Sequence, residues 1–280
     1  MDAPAAISVA TSVAAGATAA ASSGVLHIEN WRLALALVFS LVAGGCSLAL
    51  KLGLGRDIAI GTVRTFAQLF LMGWVLGWVF QADSPWLVMG LFLVMAGAAA
   101  HTARGRVKEK AVRFAWPMYG GMAAVYLLVT VTVTGAIVAA KPWWTPQYFL
   151  PIGGMVLGNS MNSVAVALDR LFSDMRARAA EIEMRLCLGA DAAEASADIV
   201  RSAVRAGMIP AVNSMMAVGL VSLPGMMTGQ ILGGSDPTLA IRYQIVVMLM
   251  IVGATALGST LLTLIIRRRC FGPGMRPLLR

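Results

Sequence analysis

Three groups of residues have the types and spacing to do chemistry. The first is a set of amides in apolar surroundings: Asn159 and Asn162 in PIGGMVLGNSMN, and Asn213 in MIPAVNSMMA. An amide buried in lipid must find hydrogen-bond partners, so these three are pathway candidates, with bonding between helices as their other role. The second group is LPGMMTG, Leu223 to Gly229. A proline within an apolar helix removes a hydrogen bond and crowds the preceding turn, so Pro224 requires the backbone to break or bend near Leu223. Irregular backbone at membrane depth is tolerated only where it is buried in protein or lines a wet cavity. Gly225, Gly229 and Gly233 recur every four residues and offer a flat face to a neighbouring helix. This stretch reads either as a gate, with Met226 and Met227 as an adaptable apolar plug, or as a kinked structural helix with a packing seam. The third group is charged: Glu181, Glu183 and Arg185, with Leu186, Gly189 and Ala190, in EIEMRLCLGA.

Other chemistries lack their residues. His27 and His101 are isolated, and Cys46, Cys187 and Cys270 lie far apart without metal-ligand spacing. Thioethers ligate soft metals, so the methionine pairs Met215/Met216 and Met226/Met227 are open to two readings, ligand or packing. Metal ligands therefore stay unassigned. Ser160, Ser163 and Ser214 would need a neighbouring base to act as nucleophiles, and neither histidine falls in such a constellation. The chain reads as a non-enzyme.

The elements that position these groups are membrane helices. With 59% hydrophobic and 12% charged residues in a chain of 280, the composition is that of an all-α, polytopic membrane protein. Apolar runs predict seven spans: Trp31 to Leu50, Ile58 to Phe80, Pro85 to Ala103, Trp116 to Ala139, Leu150 to Leu171, one beginning near Ala206 and containing the break, and Leu239 to Ile266. Residues 1–28, rich in Ala and Ser, form an N-terminal tail, and 29–280 form the membrane domain. Arg64 and Gln68 share a face of the second span, where Arg64 either snorkels to headgroups or serves transport. The net charge of +9 does not point to nucleic acid, because the basic residues fall in short loops. All 22 basic residues except Arg32, Lys141 and Arg242 lie on one side of the seven-span arrangement, which sets the N-terminus outside and the C-terminus in the cytoplasm.

One connection differs from the rest. Asp169 to Arg205 holds seven of the 13 acidic residues together with six arginines, the balance of solvated helices. Ala179 to Leu188 has helical spacing, Gly189 supplies a stop, and Asp191 with Glu194 forms a capping box for the next helix. An amphipathic connector lying on the lipid surface is the alternative reading of this pattern.

In order, PIGGMVLGNSMN, EIEMRLCLGA, RSAVRAGMIP, GLVSLPGMMTGQILGGSDP and RYQIVV resemble the iron-export ABC permease family of bacteria, the Fet B type, which includes plant half-transporters linked to aluminium tolerance. The likeness runs from Trp31 to Ile266. It implies a permease of the bacterial inner membrane that forms a homodimer and docks separate ATP-binding subunits. Glu181 to Ala190 would then be the coupling helix that receives their motion. The chain holds no G-x-x-x-x-G-K-[ST] phosphate loop, so ATP and Mg are expected in the partner and no cofactor in this chain. A secondary transporter or channel without an ATPase is the alternative; it explains the broken helix but does not require the long charged connection.

Overall fold

A computed structural model describes residues 29–82, 84–107, 109, 112, 114–272, 274 and 278. The expected tail, 1–28, lies outside the described residues. The described chain is helical: α1 (Asn30–Leu35), α2 (Leu37–Ala49), α3 (Gly55–Ala82), α4 (Pro85–Arg106), α5 (Ala115–Thr132), α6 (Pro146–Ala177), α7 (Ala179–Cys187), α8 (Ala192–Ala195), α9 (Ala197–Ala217), α10 (Gly225–Leu232) and α11 (Pro237–Arg269). Among the described residues six helices are long and apolar enough to cross a membrane: α1 and α2 together as Asn30–Ala49, α3, α4, α5 with the π-helical turn Val133–Ile137 that follows it, α6 and α11. The remaining expected span is divided between α9 and α10, and α9 carries Asp198, Arg201 and Arg205 in its first turns.

The chain separates into two units. The first comprises α1 to α3, α10 and the first turn of α11. In it α2 turns into α3 through Lys51 and Gly53, both at positive φ, while the Ser47 hydroxyl accepts a hydrogen bond from the Leu54 amide at 3.0 Å. Most side chains of α2 and α3 are exposed, including Phe39, Leu41 and Trp74, as expected of helices whose solvent is lipid. Arg64 and Gln68 are exposed on α3.

The second unit, 83–224 and 241–280, has its core around α6. Val156, Leu157, Val164, Leu168 and Leu171 of this helix are buried, and α4 faces it with Ala96, Ala100 and Ala103, whose small side chains let the backbones approach. Phe92 of α4 meets Phe149 of α6 edge-on at 5.5 Å between ring centroids, and Trp143 from the preceding connector meets the same ring at 5.9 Å. On another side, Gly207 of α9 sits so close to α6 that a Cβ there would lie 2.7 Å from the Ser163 carbonyl oxygen and 2.8 Å from Ala167 Cβ. Prolines lie inside both helices, Pro151 in α6 and Pro210 in α9, without ending either. Packing against neighbours holds these helices through the missing hydrogen bond.

Candidate functional site

The segment between α6 and α9 is built from local signals in series. Arg178 interrupts the helix, and α7 follows with Ile182 buried as its anchor. At its end Gly189 takes φ +99°, the Gly189 amide donates to the Leu186 carbonyl at 3.0 Å, and the Ala190 amide donates to the Arg185 carbonyl at 3.1 Å. This is the paired closure of a Schellman turn, which needs a left-handed residue at the position of Gly189. Asp191 then caps α8 by accepting from the Glu194 amide at 2.7 Å, while the Glu194 carboxylate accepts from the Asp191 amide at 3.0 Å. The expected helix, stop and capping box are all present.

An ion-pair ladder ties these pieces together. Arg178 holds Glu181 through two hydrogen bonds of 2.7 Å, Arg185 reaches Glu181 at 2.7 Å and Asp198 at 3.4 Å, and Arg201 closes on Asp198 at 3.1 Å. The hydrogen bonds from Arg178 draw the Glu181 carboxyl below its ordinary range, helped by Coulomb attraction to Arg178 and Arg185. Glu181 and Arg185, expected to face a partner, are thus also internal braces: Glu181 holds Arg178 and Arg185, and Arg185 joins α7 to α9 through Asp198. The large apolar side chains left outward are Met184, 57% exposed, and Leu188, 80% exposed, with Cys187 exposed between them. Sequence reasoning passed over Met184 and Leu188; their signal was an apolar pair four residues apart beside the glycine stop.

The asparagines lie on α6 and α9, outside the core. Asn159, Asn162 and Asn213 are exposed in this chain rather than buried. Asn159 donates to the Met155 carbonyl one turn back, at 2.8 Å, and Asn162 accepts from the Arg106 guanidinium of α4. Their position becomes intelligible on α6 as a whole. Asn159, Asn162, Val166, Asp169 and Ser173 follow one another at spacings of three and four residues, and all are exposed, whereas the opposite face of the helix is core. This polar stripe borders an open groove of about 390 Å³ that Arg106 and Ala206 also line. Asn213 lines a different groove, of about 410 Å³, along α9 with Met208 and Ile209.

The break expected near Leu223 is present, between the end of α9 and the start of α10. Pro224 does not interrupt a helix from within: α9 already ends at Ala217, and the chain turns through Gly219 at φ +85°, with the Gly219 amide donating to the Ser222 carbonyl at 3.0 Å. Pro224 directly precedes α10, a place where its missing N–H removes no helical hydrogen bond. Leu220, Val221 and Leu223 around this turn are exposed, and Met226 and Met227 are half-buried. A Cβ added at Gly225 or Gly229 would meet nothing within 4 Å among the described residues. Close approaches are made by Gly207 to α6, by Gly258 to Tyr126, by Gly121 to Leu262 and by Gly153 to Phe92. Beside Gly258, the buried hydroxyls of Thr255, Ser259 and Thr263 of α11 make no hydrogen bond among the described residues. Among the described residues no group of three His, Cys, Asp or Glu side chains is placed to hold a metal ion.

Comparison with known proteins adds a family. The profile of "Uncharacterised protein family (UPF0014)" matches residues 30–271. The chain is 41% identical over 211 residues to the UPF0014 membrane protein slr1647 of Synechocystis, covering 74% of this chain and 80% of that protein. It is 36% identical over 233 residues to the probable iron export permease protein FetB of Escherichia coli, covering 83% and 88% of the two chains. It is 36% identical over 231 residues to Protein ALUMINUM SENSITIVE 3 of Arabidopsis thaliana, covering 81% of each. No solved structure gives a significant match.

Proposed function

The chain belongs to the UPF0014 family of membrane proteins, and from that premise we propose that it is the membrane-spanning permease subunit of an ATP-driven ABC transporter, exporting iron or another metal. One observation carries this reading: the helix that bears the polar stripe runs directly into the charged segment. α6 bears Asn159, Asn162, Asp169 and Ser173 along an exposed face, and its end passes through Arg178 straight into α7. A polar face among apolar spans is costly against lipid and useful along a wet path. A push on α7 is therefore delivered to the helix that would line the path, while the ladder from Arg178 to Arg201 hands the same push to α9.

In this mechanism Met184 and Leu188 enter an apolar recess of a separate ATP-binding subunit, and Glu183 sits beside them on the docking helix. ATP-driven approach of two such subunits moves α7, and the Gly189 turn keeps α7 and α8 in fixed relation as they move. A second copy of the chain closes the pathway around the α6 stripe. LPGMMTG, which is Leu223 and Pro224 with the first turn of α10, repacks as the outer gate. The N-terminus lies outside and the α6–α9 segment lies in the cytoplasm of a bacterial cell, as the distribution of basic residues supports. Such gating requires two packings close in energy.

The test is reconstitution of the permease with its ATPase in sealed vesicles loaded with ferrous iron or another divalent metal. Transport that requires ATP, and that stops when Leu188 is replaced by Glu, supports the reading. Metal flux that runs on an ion gradient without ATP identifies a secondary transporter instead.

A further inference from the structure

Where α8 and the first turns of α9 lie along the last turns of α11, the surface opens into a groove of about 360 Å³. Its walls are aliphatic, with Ala197, Val200 and Val204 from one side and Leu264 from the other, and its charged lining is Arg201 and Arg267. Across α9 a second groove shares Arg201 and adds Arg205, with Met208 and Ile209. No acidic side chain among the described residues lines either groove. Asp198 takes one bond from Arg201, at 3.1 Å to a single guanidinium nitrogen, and shares its other oxygen with Arg185 at 3.4 Å. Arg201 is otherwise open, its side chain 79% exposed.

The sequence sets the depth of Arg267, and Arg201 lines the same groove. Arg267 directly follows Leu264, Ile265 and Ile266 and begins the cluster Arg267, Arg268, Arg269 that ends α11. A cation at such a boundary sits at the level of the headgroups, while the aliphatic walls below it sit among acyl chains. Two guanidiniums above an apolar slot match one class of ligand at both ends: a phosphate, which arginine binds through paired N–H donors, attached to a hydrocarbon chain. A soluble anion would use the arginines and leave the slot unexplained. We propose that this groove binds an anionic phospholipid, with its phosphate on Arg201 and Arg267 and an acyl chain along Ala197, Val200, Val204 and Leu264. The lipid would bridge α9 to α11 beside the ladder that links α9 to α7. This assignment rests on the membrane location and does not depend on ATP or cargo.

Native mass spectrometry of the purified full-length protein reads it directly, with phosphatidylglycerol, phosphatidylcholine and inorganic phosphate as probes. Phosphatidylglycerol should be retained over phosphatidylcholine by about fivefold for each arginine engaged, and the Arg201→Gln/Arg267→Gln variant should abolish that preference. Val204→Trp, which fills the slot but leaves the charges, should also weaken retention. Asp198→Asn breaks the bridge to Arg201 yet keeps both guanidiniums, so it should retain the lipid, as should Arg242→Gln at the other end of α11. Equal retention of the two lipids overturns the proposal, as does an unchanged preference in the double variant. If inorganic phosphate displaces the lipid fully and Val204→Trp has no effect, the site is an anion site and the phospholipid assignment fails.

Discussion

Gly189 is constrained by its backbone and not by its surroundings: it sits at φ +99°, and a Cβ there would meet nothing within 4 Å. The cost of replacing it is therefore conformational, about 1 kcal/mol for Ala and more for a β-branched residue. Gly189→Val should loosen the turn between α7 and α8 and weaken capture of the ATP-binding subunit while leaving the permease inserted. Gly189→Asn should recover part of the loss, because Asn tolerates the left-handed region. Co-purification of the ATPase with each variant measures this, and equal capture in all three would remove the segment from the docking surface. Glu181 supplies a pH test of the ladder. Its carboxyl is drawn below 4.5 in the folded protein by hydrogen bonds from Arg178. Its stabilising contribution is thus fully present above that value and is lost as pH falls through the lower, folded one. The difference in Tm between the parent and Glu181→Gln should stay constant near neutral pH and shrink in acid; a difference that grows on acidification would contradict the pairing.

α6 is the core helix of the second unit, and Gly207 of α9 packs closely against it. Gly207→Val would drive a side chain into the Ser163 carbonyl and Ala167, so it should destabilise the packed helices by roughly 1–3 kcal/mol, read as a lowered unfolding temperature of the detergent-solubilised protein. Asn162→Leu makes a different demand. It removes the acceptor for Arg106 and one member of the polar stripe at an exposed position, so it should reduce metal flux with little change in stability. Loss of both together would mark Asn162 as structural. What the sequence made legible here follows the range of the forces involved. The capping box of Asp191 and Glu194 and the stop at Gly189 depend on residues within one turn, and they appear where expected. The break between α9 and α10 was also expected, but its position follows the positive φ of Gly219, which no local pattern distinguishes from the other glycines of the stretch. The contact at Gly207 was not legible, because it is set by a helix some forty residues earlier. The stripe on α6 was half legible: its spacing can be read from the sequence, but which face of a largely apolar helix is left uncovered is decided by the helices around it.

At the scale of the molecule, the function rests on which side of the membrane each segment occupies, and the protein carries its own reporters. Cys187 is exposed at the end of α7, in the segment expected to be cytoplasmic, whereas Gln147 is exposed near the start of α6, beside the connector expected to be outside. Cys270, just beyond α11, is fully buried, and burial pushes its thiol up to about 12, aided by repulsion from Glu109. Since the thiolate is the reactive form, Cys270 should stay unlabelled near neutral pH from either side and serve as an internal blank. With Cys46 replaced by Ala, an impermeant thiol reagent applied to intact cells should leave Cys187 unmodified and modify Gln147→Cys. Inside-out vesicles should reverse the pattern. Adding the ATP-binding subunit to those vesicles should then protect Cys187, because it lies between Met184 and Leu188 on the surface proposed to be covered, and should leave the rate at Gln147→Cys unchanged from its own baseline. Labelling of Cys187 in intact cells would place the whole α6–α9 segment outside and end the docking mechanism. Reversal without protection would keep the topology and move the ATPase contact elsewhere on the cytoplasmic face.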